Sequence, residues 1–402
     1  MQATVTEEPQ INCKRLTLSL YLNYLIHGFG LIILAQNMVT LGGAWSVPVK
    51  TVSFVISGVG IGRLISYLIT GTLADLFSRK LLVNIGMFSY LIFAVGMIMT
   101  HSVPVAYCLA ILAGVANSAL DAGTYTTLVE MNNGNGYDTI LIKGFASIGE
   151  FILPLIVATL SANNWWFGWS FIIMAALIIL NFLNMLTVKF PQVKHVKTKT
   201  GTDFKKTTRY SLKRAVQTAV LLIYGYTSMA LMIWFTQWIT LFAQKSLGAG
   251  NLAAHTLMSL YSIGSMIGVV ALFIMLKREV SELKLLVSLN VIAVLALLVL
   301  VFAGQNMVLA NLASLVFGFS AAGGIMQTGL TVFMNIYPQH RGMVTGAFYF
   351  FGSIASFTVP LITGALSTIS IRTAFAANLV VGLFGVALMI TLMVLQKTEG
   401  ED

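Results

Sequence analysis

The chain has 402 residues, of which 57% are hydrophobic and only 9% charged, and its mean hydropathy is +0.89. That composition excludes an ordinary soluble globular domain. The apolar runs are mostly about 20 to 27 residues long, enough to cross ~30 Å of hydrocarbon at ~1.5 Å per residue and too long for core strands, so helical spans are expected.

Twelve spans are read in chain order, at about 16–42, 50–75, 80–100, 104–130, 138–161, 166–188, 214–243, 252–276, 283–303, 307–333, 341–367 and 372–395. The first follows a short tail without a small-residue cleavage site after its apolar run, so it reads as a retained helix rather than a signal peptide. Of the 23 Lys and Arg, only Lys50, Lys245 and Arg372 fall on the side opposite the termini, and Arg63 and Lys143 fall within spans. The positive-inside rule then puts both termini in the cytoplasm. The net charge of +10 is therefore a topology signal. No aromatic residues interleave with the basic stretch Lys189 to Arg214, so it reads as a membrane-facing linker and no nucleic-acid partner is expected. All six tryptophans fall toward outer span ends and read as an aromatic belt, with Trp234 and Trp238 as candidates to cap an outward vestibule.

The long polar interruption divides the chain into an amino-terminal six-helix bundle, 1–188, a basic linker, 189–213, and a carboxy-terminal six-helix bundle, 214–402. At a constant offset of 206 residues Gly58 and Gly62 fall on Gly264 and Gly268, Gly123 on Gly329, and Pro154-Leu-Ile-Val-Ala-Thr-Leu-Ser161 on Pro360-Leu-Ile-Thr-Gly-Ala-Leu-Ser367. A duplicated unit follows. The expected fold is all-α and polytopic, with two pseudo-symmetric six-helix bundles and a solute site between them near the bilayer midplane.

Ionisable groups in hydrocarbon cost several kcal/mol and usually face a cavity or one another. Arg63 lies ~18 Å of helix from Asp75 at the cytoplasmic edge, Asp121 ~13 Å from Glu130, and Glu150 12 residues after Asp138. Asp121 and Glu150 are the candidates for proton coupling; the alternative is a static cluster with Arg63 that only fixes packing. Arg63 either pairs with these acids or clamps a substrate carboxylate through its bidentate fork. Lys143 reads as a gate residue. The second half has Val269, Gln327, Ser356 and Tyr349 at the positions matching Arg63, Asp121, Glu150 and Lys143. Polar faces extend the candidate site: Asn23, His27, Gly30 and Asn37 on the first span, Gly114, Asn117, Asp121 and Thr124 on the fourth, and Tyr226, Gln237, Ser320, Gln327, Tyr349, Ser353 and Ser356 in the second half. The substrate-binding set is thus Arg63, His27, Asn37, Asn117, Gln237, Gln327 and Tyr349. Cys13 and Cys108 provide neither a disulfide framework nor metal spacing, and no cofactor or metal is expected.

At the cytoplasmic end of the second span the chain reads Gly71-Thr-Leu-Ala-Asp75-Leu-Phe-Ser-Arg79-Lys80, which resembles the loop signature of the major facilitator superfamily, departing from it at Leu76 and at Ser78. Such a turn can latch its acid and bases onto neighbouring helix ends in one conformation and release them in another, making Gly71, Asp75, Arg79, Lys80 and Lys143 the expected conformational gate. Further segments, among them Leu34-Ala-Gln-Asn-Met38, Ile56-Ser-Gly-Val-Gly-Ile-Gly-Arg-Leu-Ile-Ser66, Ala116-Asn-Ser-Ala-Leu-Asp121 and Gly318-Phe-Ser-Ala-Ala-Gly-Gly-Ile-Met-Gln327, resemble the YdiM/YdiN-type bacterial inner-membrane transport proteins. Glu150 lies outside the shared pattern. The resemblance implies a monomeric, non-enzymatic secondary transporter in a bacterial inner membrane, working by alternating access, with quinate- or shikimate-like hydroxylated carboxylates as solutes. Proton-coupled uptake of a small polar anion is the expected function. The alternatives are drug/proton antiport, against which the missing glycine-proline repeat of the fifth span counts, and a non-transporting solute sensor. No glycine-lysine nucleotide loop occurs, so ATP is not the expected driver.

Overall fold

The computed structural model of the protein describes residues 12–73, 78–131, 137–190, 212–278, 280–302, 306–337 and 341–397. Twelve helices are long and apolar enough to cross a membrane, and the described residues contain no strand. Spans 1 to 6 are Cys13–Gln36, Val49–Leu73, Arg79–Met99, Val103–Met131, Tyr137–Ala162 and Gly168–Leu186. Spans 7 to 11 are Leu212–Ser246, Asn251–Lys277, Glu282–Phe302, Met307–Ile336 and Arg341–Leu366, and span 12 is split into Ile371–Ala376 and Asn378–Lys397. Span 1 is also broken sooner than its hydropathy suggests, at Asn37, after which a short helix, Met38–Trp45, leads to span 2.

Lipid tails are as apolar as leucine, so helices in a bilayer associate through close packing and interhelical hydrogen bonds. Glycine supplies the close packing, and does so twice in the same way. A Cβ on Gly62 of span 2 would stand 2.0 Å from the carbonyl oxygen of Ile111 in span 4, and one on its repeat partner Gly268 of span 8 would stand 2.2 Å from that of Phe319 in span 10. Any side chain at either position would force the pair apart. Span 10 differs from span 4 in one respect: Gly318–Ile325 winds as a π-helix between two α segments.

The two halves meet along spans 2 and 11 and along spans 5 and 8, and the hydrogen bonds across these seams gather toward the end remote from the termini. Ser53 Oγ donates to Pro360 O at 2.6 Å and Ser259 Oγ to Phe151 O at 2.9 Å. These serines are 206 residues apart, so one latch occurs once in each half. Gln237 Nε2 adds a donor to Ser53 Oγ at 2.6 Å, and Gln36 Oε1 accepts from Thr240 Oγ1 at 3.2 Å and contacts His255 Nδ1 at 2.7 Å. At Gly60 the backbones of spans 2 and 11 approach so closely that a Cβ would lie 2.2 Å from Phe357 N. The remote end is sealed.

The aromatic belt requires a correction. Trp165, Trp166 and Trp169 are exposed at span ends, but Trp45, Trp234 and Trp238 are buried. Trp45 Nε1 donates to Thr100 O and Trp234 Nε1 to Ala374 O, the break in span 12. The indole N–H groups of Trp45 and Trp234 thus satisfy carbonyls near helix ends, a use that hydropathy does not reveal, whereas Trp238 Nε1 is buried without a partner among the described residues.

A wedge between spans 2 and 11, next to the Arg63–Ser356 contact, should open the sealed end. Gly60→Leu, placed on a background with Cys13 and Cys108 replaced by serine and Thr363→Cys added, is expected to raise the rate of maleimide labelling at position 363 at least fivefold, because Thr363 is fully buried in the sealed state. An unchanged rate would show that the contact at Gly60 does not hold the end shut.

Candidate functional site

Spans 1, 2, 3 and 4 converge on Asp121. Its Oδ1 accepts the Tyr24 hydroxyl at 2.5 Å and its Oδ2 accepts the Tyr67 hydroxyl at 2.6 Å. Both bonds are in the short range of hydroxyl-to-carboxylate hydrogen bonds, each worth about 1.5–3 kcal/mol when one partner is ionised. Beside this carboxylate, Tyr24 stacks obliquely on His27 with ring centroids 5.2 Å apart and meets Tyr125 edge-on at 5.8 Å.

Arg63 stands one turn before Tyr67 on span 2, its guanidinium carbon 5.8 Å from the Tyr67 ring centroid. Its Nη1 reaches across the seam to Ser356 Oγ on span 11 at 3.4 Å, while its Nε is buried without a hydrogen-bond partner among the described residues. Asp121 is within electrostatic reach of the guanidinium, but both of its oxygens are occupied by tyrosines and no direct ion pair joins the two among the described residues. The half-buried guanidinium is thus without a carboxylate in direct contact among the described residues.

A second relay lies next to this one. The Tyr90 hydroxyl on span 3 donates to Asn117 Oδ1 and contacts His27 Nδ1 at 3.2 Å. Tyrosine has a single proton to give, so its oxygen is left to accept from an Nδ1–H of His27. Asn117 Nδ2 is buried and unpaired among the described residues. Gly30 makes room for this arrangement, since a Cβ there would lie 2.5 Å from the Tyr90 ring.

The structure therefore brings His27, Arg63, Asn117 and Asp121 together, with Tyr349 of span 11 within electrostatic reach of Asp121 and Arg63. It separates the others. Asn37 and Gln237 are at the sealed end, where Asn37 Nδ2 donates to Ile33 O and Ser170 Oγ and Gln237 is bonded to Ser53. Gln327 is exposed on span 10. Asn23, expected on a cavity-lining face, instead accepts from Asn181 Nδ2 at 2.7 Å and ties span 1 to span 6. Glu150 is 4% exposed and does not join a cluster with Arg63; its Oε2 lacks a partner among the described residues, and the charge within reach is Lys143, two turns earlier on span 5.

The expected gate resolves unevenly. Gly71 is in the last turn of span 2, and Asp75 lies outside the described residues. Lys80 Nζ donates to Val188 O at 2.9 Å and Leu186 O at 3.3 Å, so in this conformation it is latched onto the end of span 6, a neighbouring helix of its own half. Arg79 is buried at the start of span 3. Ser78 accounts for the departure from the usual glycine: its side chain accepts from Leu81 N and caps span 3.

Tyr24, Tyr67 and Tyr90 are not among the residues expected at the site. Their signal is nonetheless in the spacing, because Tyr67 follows Arg63 by four residues and Tyr24 precedes His27 by three, which puts each on the face of a residue already singled out.

The model of the Major Facilitator Superfamily matches residues 20–360. The chain belongs to the major facilitator superfamily. Among its superfamily relatives, the inner membrane transport protein YdiM of Escherichia coli is 38% identical over 357 residues, which cover 88% of this chain and 87% of that protein. The YfkL transporter of Bacillus subtilis is 33% identical, covering 87% and 88%, and Escherichia coli YdiN is 32% identical, covering 88% and 84%. Among superfamily structures, the D-xylose-proton symporter superposes with a TM-score of 0.77 at 13% identity over 94% of this chain and 97% of its own. A nucleoside transporter NupG variant gives 0.76 at 16% over 95% and 99%. At those identities the structural likeness concerns the fold.

Removing one tyrosine donor from Asp121 should be costly. Tyr67→Phe is expected to lower stability by about 1–3 kcal/mol, the penalty of stripping a donor from a partly enclosed carboxylate, read as a drop of several degrees in Tm of the purified protein. A Tm equal to wild type would mean that Asp121 is not held as described.

Proposed function

We propose that this superfamily transporter carries out proton-coupled uptake of a small polar organic anion, a hydroxylated or aromatic carboxylate of the quinate or shikimate type, by alternating access. One observation carries the reading: Arg63 is half-buried, with its Nε fully enclosed and no carboxylate in direct contact among the described residues, while Asp121, within electrostatic reach, is held by Tyr24 and Tyr67. A guanidinium placed so is completed by a carboxylate from outside, which takes its N–H groups in a two-pronged contact. Ser356 and Tyr349 contribute the second half's side of that contact, and His27 and Asn117 supply neutral hydrogen bonds near it.

Asp121 is the proton carrier in this scheme, and its tyrosines give it a means of coupling. An ionised carboxylate accepts from both hydroxyls. Once protonated it must donate from one oxygen, so one tyrosine has to turn its hydrogen elsewhere. Tyr67 lies under Arg63, and its reorientation passes the protonation of Asp121 to the anion clamp. Glu150, at the span 5 and span 8 seam, is a second ionisable group whose protonation would accompany movement of that seam, with Lys143 near it.

With both termini cytoplasmic, as the distribution of Lys and Arg implies, the sealed end is the outer one and the conformation faces inward. The unit boundaries are 1–188 and 214–402 with 189–213 as linker, and the protein works as a monomer in a bacterial inner membrane; its likeness to YdiM, an inner membrane transport protein, supports that placement.

Two substitutions test the roles separately. In proteoliposomes Asp121→Asn is expected to abolish proton-driven accumulation of the carboxylate while leaving exchange at near wild-type rates; full accumulation by this variant would remove Asp121 from the coupling role. Arg63→Lys keeps the charge but loses the fork, and should weaken carboxylate binding by at least tenfold, or about 1.4 kcal/mol, in calorimetry. Equal affinity would rule out the clamp.

A further inference from the structure

The sealed end holds a cavity of about 450 Å³ whose lining does not include Arg63. Its walls come from both halves: Gln36, Asn37 and Trp165 on one side, and Gln244, Asn251 and His255 on the other. No Lys, Arg, Asp or Glu lines it. The volume falls in the ordinary range for small-molecule sites.

Its polar groups are incompletely satisfied. Gln36 spends its carbonyl on Thr240 and His255, which leaves Nε2 buried and without a partner among the described residues; the same holds for Asn37 Oδ1 and Asn251 Nδ2. Three enclosed polar atoms of residues that line one space are therefore without partners, and the amides of Gln36, Asn37, Gln244 and Asn251 with the Thr240 hydroxyl make that lining polar but uncharged. A hydroxyl both gives and accepts, so a ring bearing several of them suits a lining of amides and hydroxyls that carries no charge. Trp165 and Trp166, 61% and 49% exposed, line the same cavity and offer flat apolar faces to the C–H side of such a ring.

We propose that this cavity is a second binding site, selective for an uncharged polyhydroxylated ring, and that its occupant holds the outer end shut. Binding follows from the cavity itself. Holding the end shut rests on the alternating-access reading given above: a site walled by both halves is taken apart when they separate, so its ligand binds the sealed state more tightly and shifts the population toward it. Lack of a lining charge sets its preference apart from the anion required at Arg63.

Calorimetry on the purified full chain with myo-inositol and glucose tests the site, with quinate as the anionic comparison. Saturable binding of an uncharged ring is expected in wild type, weakened at least tenfold in Asn251→Ala and retained in Arg63→Ala. Asn37→Ala serves as a second variant should Asn251→Ala unfold. Absence of saturable polyol binding would overturn the proposal, and so would polyol binding lost in Arg63→Ala, because it would place the ring at the central site. Loss of quinate binding alone in Arg63→Ala bears on the transport reading and leaves this site intact. For the locking effect, maleimide labelling of Thr363→Cys should slow severalfold with the polyol bound; an unchanged or faster rate would refute it.

Discussion

The site is organised by one constraint: a guanidinium and a carboxylate lie half-buried within electrostatic reach of each other and make no direct ion pair among the described residues. Were Asp121 to pair directly with Arg63, both charges would be satisfied and neither could respond to a solute or a proton. Two tyrosine hydroxyls bind the carboxylate instead, and the Tyr67 ring lies beside the guanidinium. The desolvation cost of the acid is thus met within spans 1, 2 and 4, while that of the base is met only in part and across the seam, through Ser356. In the proposed function this asymmetry is what admits an external anion.

The surrounding fold serves that constraint. Close glycine contacts fix spans 2 and 4, and spans 8 and 10, as rigid pairs, so that movement between halves is confined to the seams. There the bonds are few, formed mainly by hydroxyls and amides, and repeated at Ser53 and Ser259. Single hydrogen bonds of this kind contribute modestly in membranes, which suits a contact that has to form and break in each cycle. The halves are strong within and weak between.

Much of this was legible in the sequence, for identifiable reasons. Span number, the duplicated unit and the mid-membrane placement of Arg63 and Asp121 follow from hydropathy, offset and helical rise, all of which are one-dimensional properties. Which residue faces which neighbour is not. Asn23 and His27 are one turn apart, yet the first binds span 6 and the second joins Tyr90 on span 3. Asn37 shares their face only in an unbroken helix, and the helix breaks there. The loop motif marks Lys80 as a residue that latches onto a neighbouring helix end, but does not say that the helix is span 6. The tyrosines escape a reading by residue type because aromatic residues in membrane helices usually pack or anchor, and only the third dimension reveals a hydroxyl aimed at a carboxylate.

The π segment of span 10 carries a consequence for how the two halves diverged. A turn closed by i→i+5 bonds holds more than the usual 3.6 residues, so the stretch Met326–Ile336 leaves Gly318–Ile325 rotated relative to the matching stretch of span 4. Residues that align at the offset of 206 up to this point face different directions beyond it. Asp121 meets two hydroxyls, whereas Gln327 is exposed. Differentiation after duplication therefore did not have to proceed by replacing each inherited contact in turn. One local change of winding re-aims half a helix, and frees every residue on it from its ancestral neighbours in a single step.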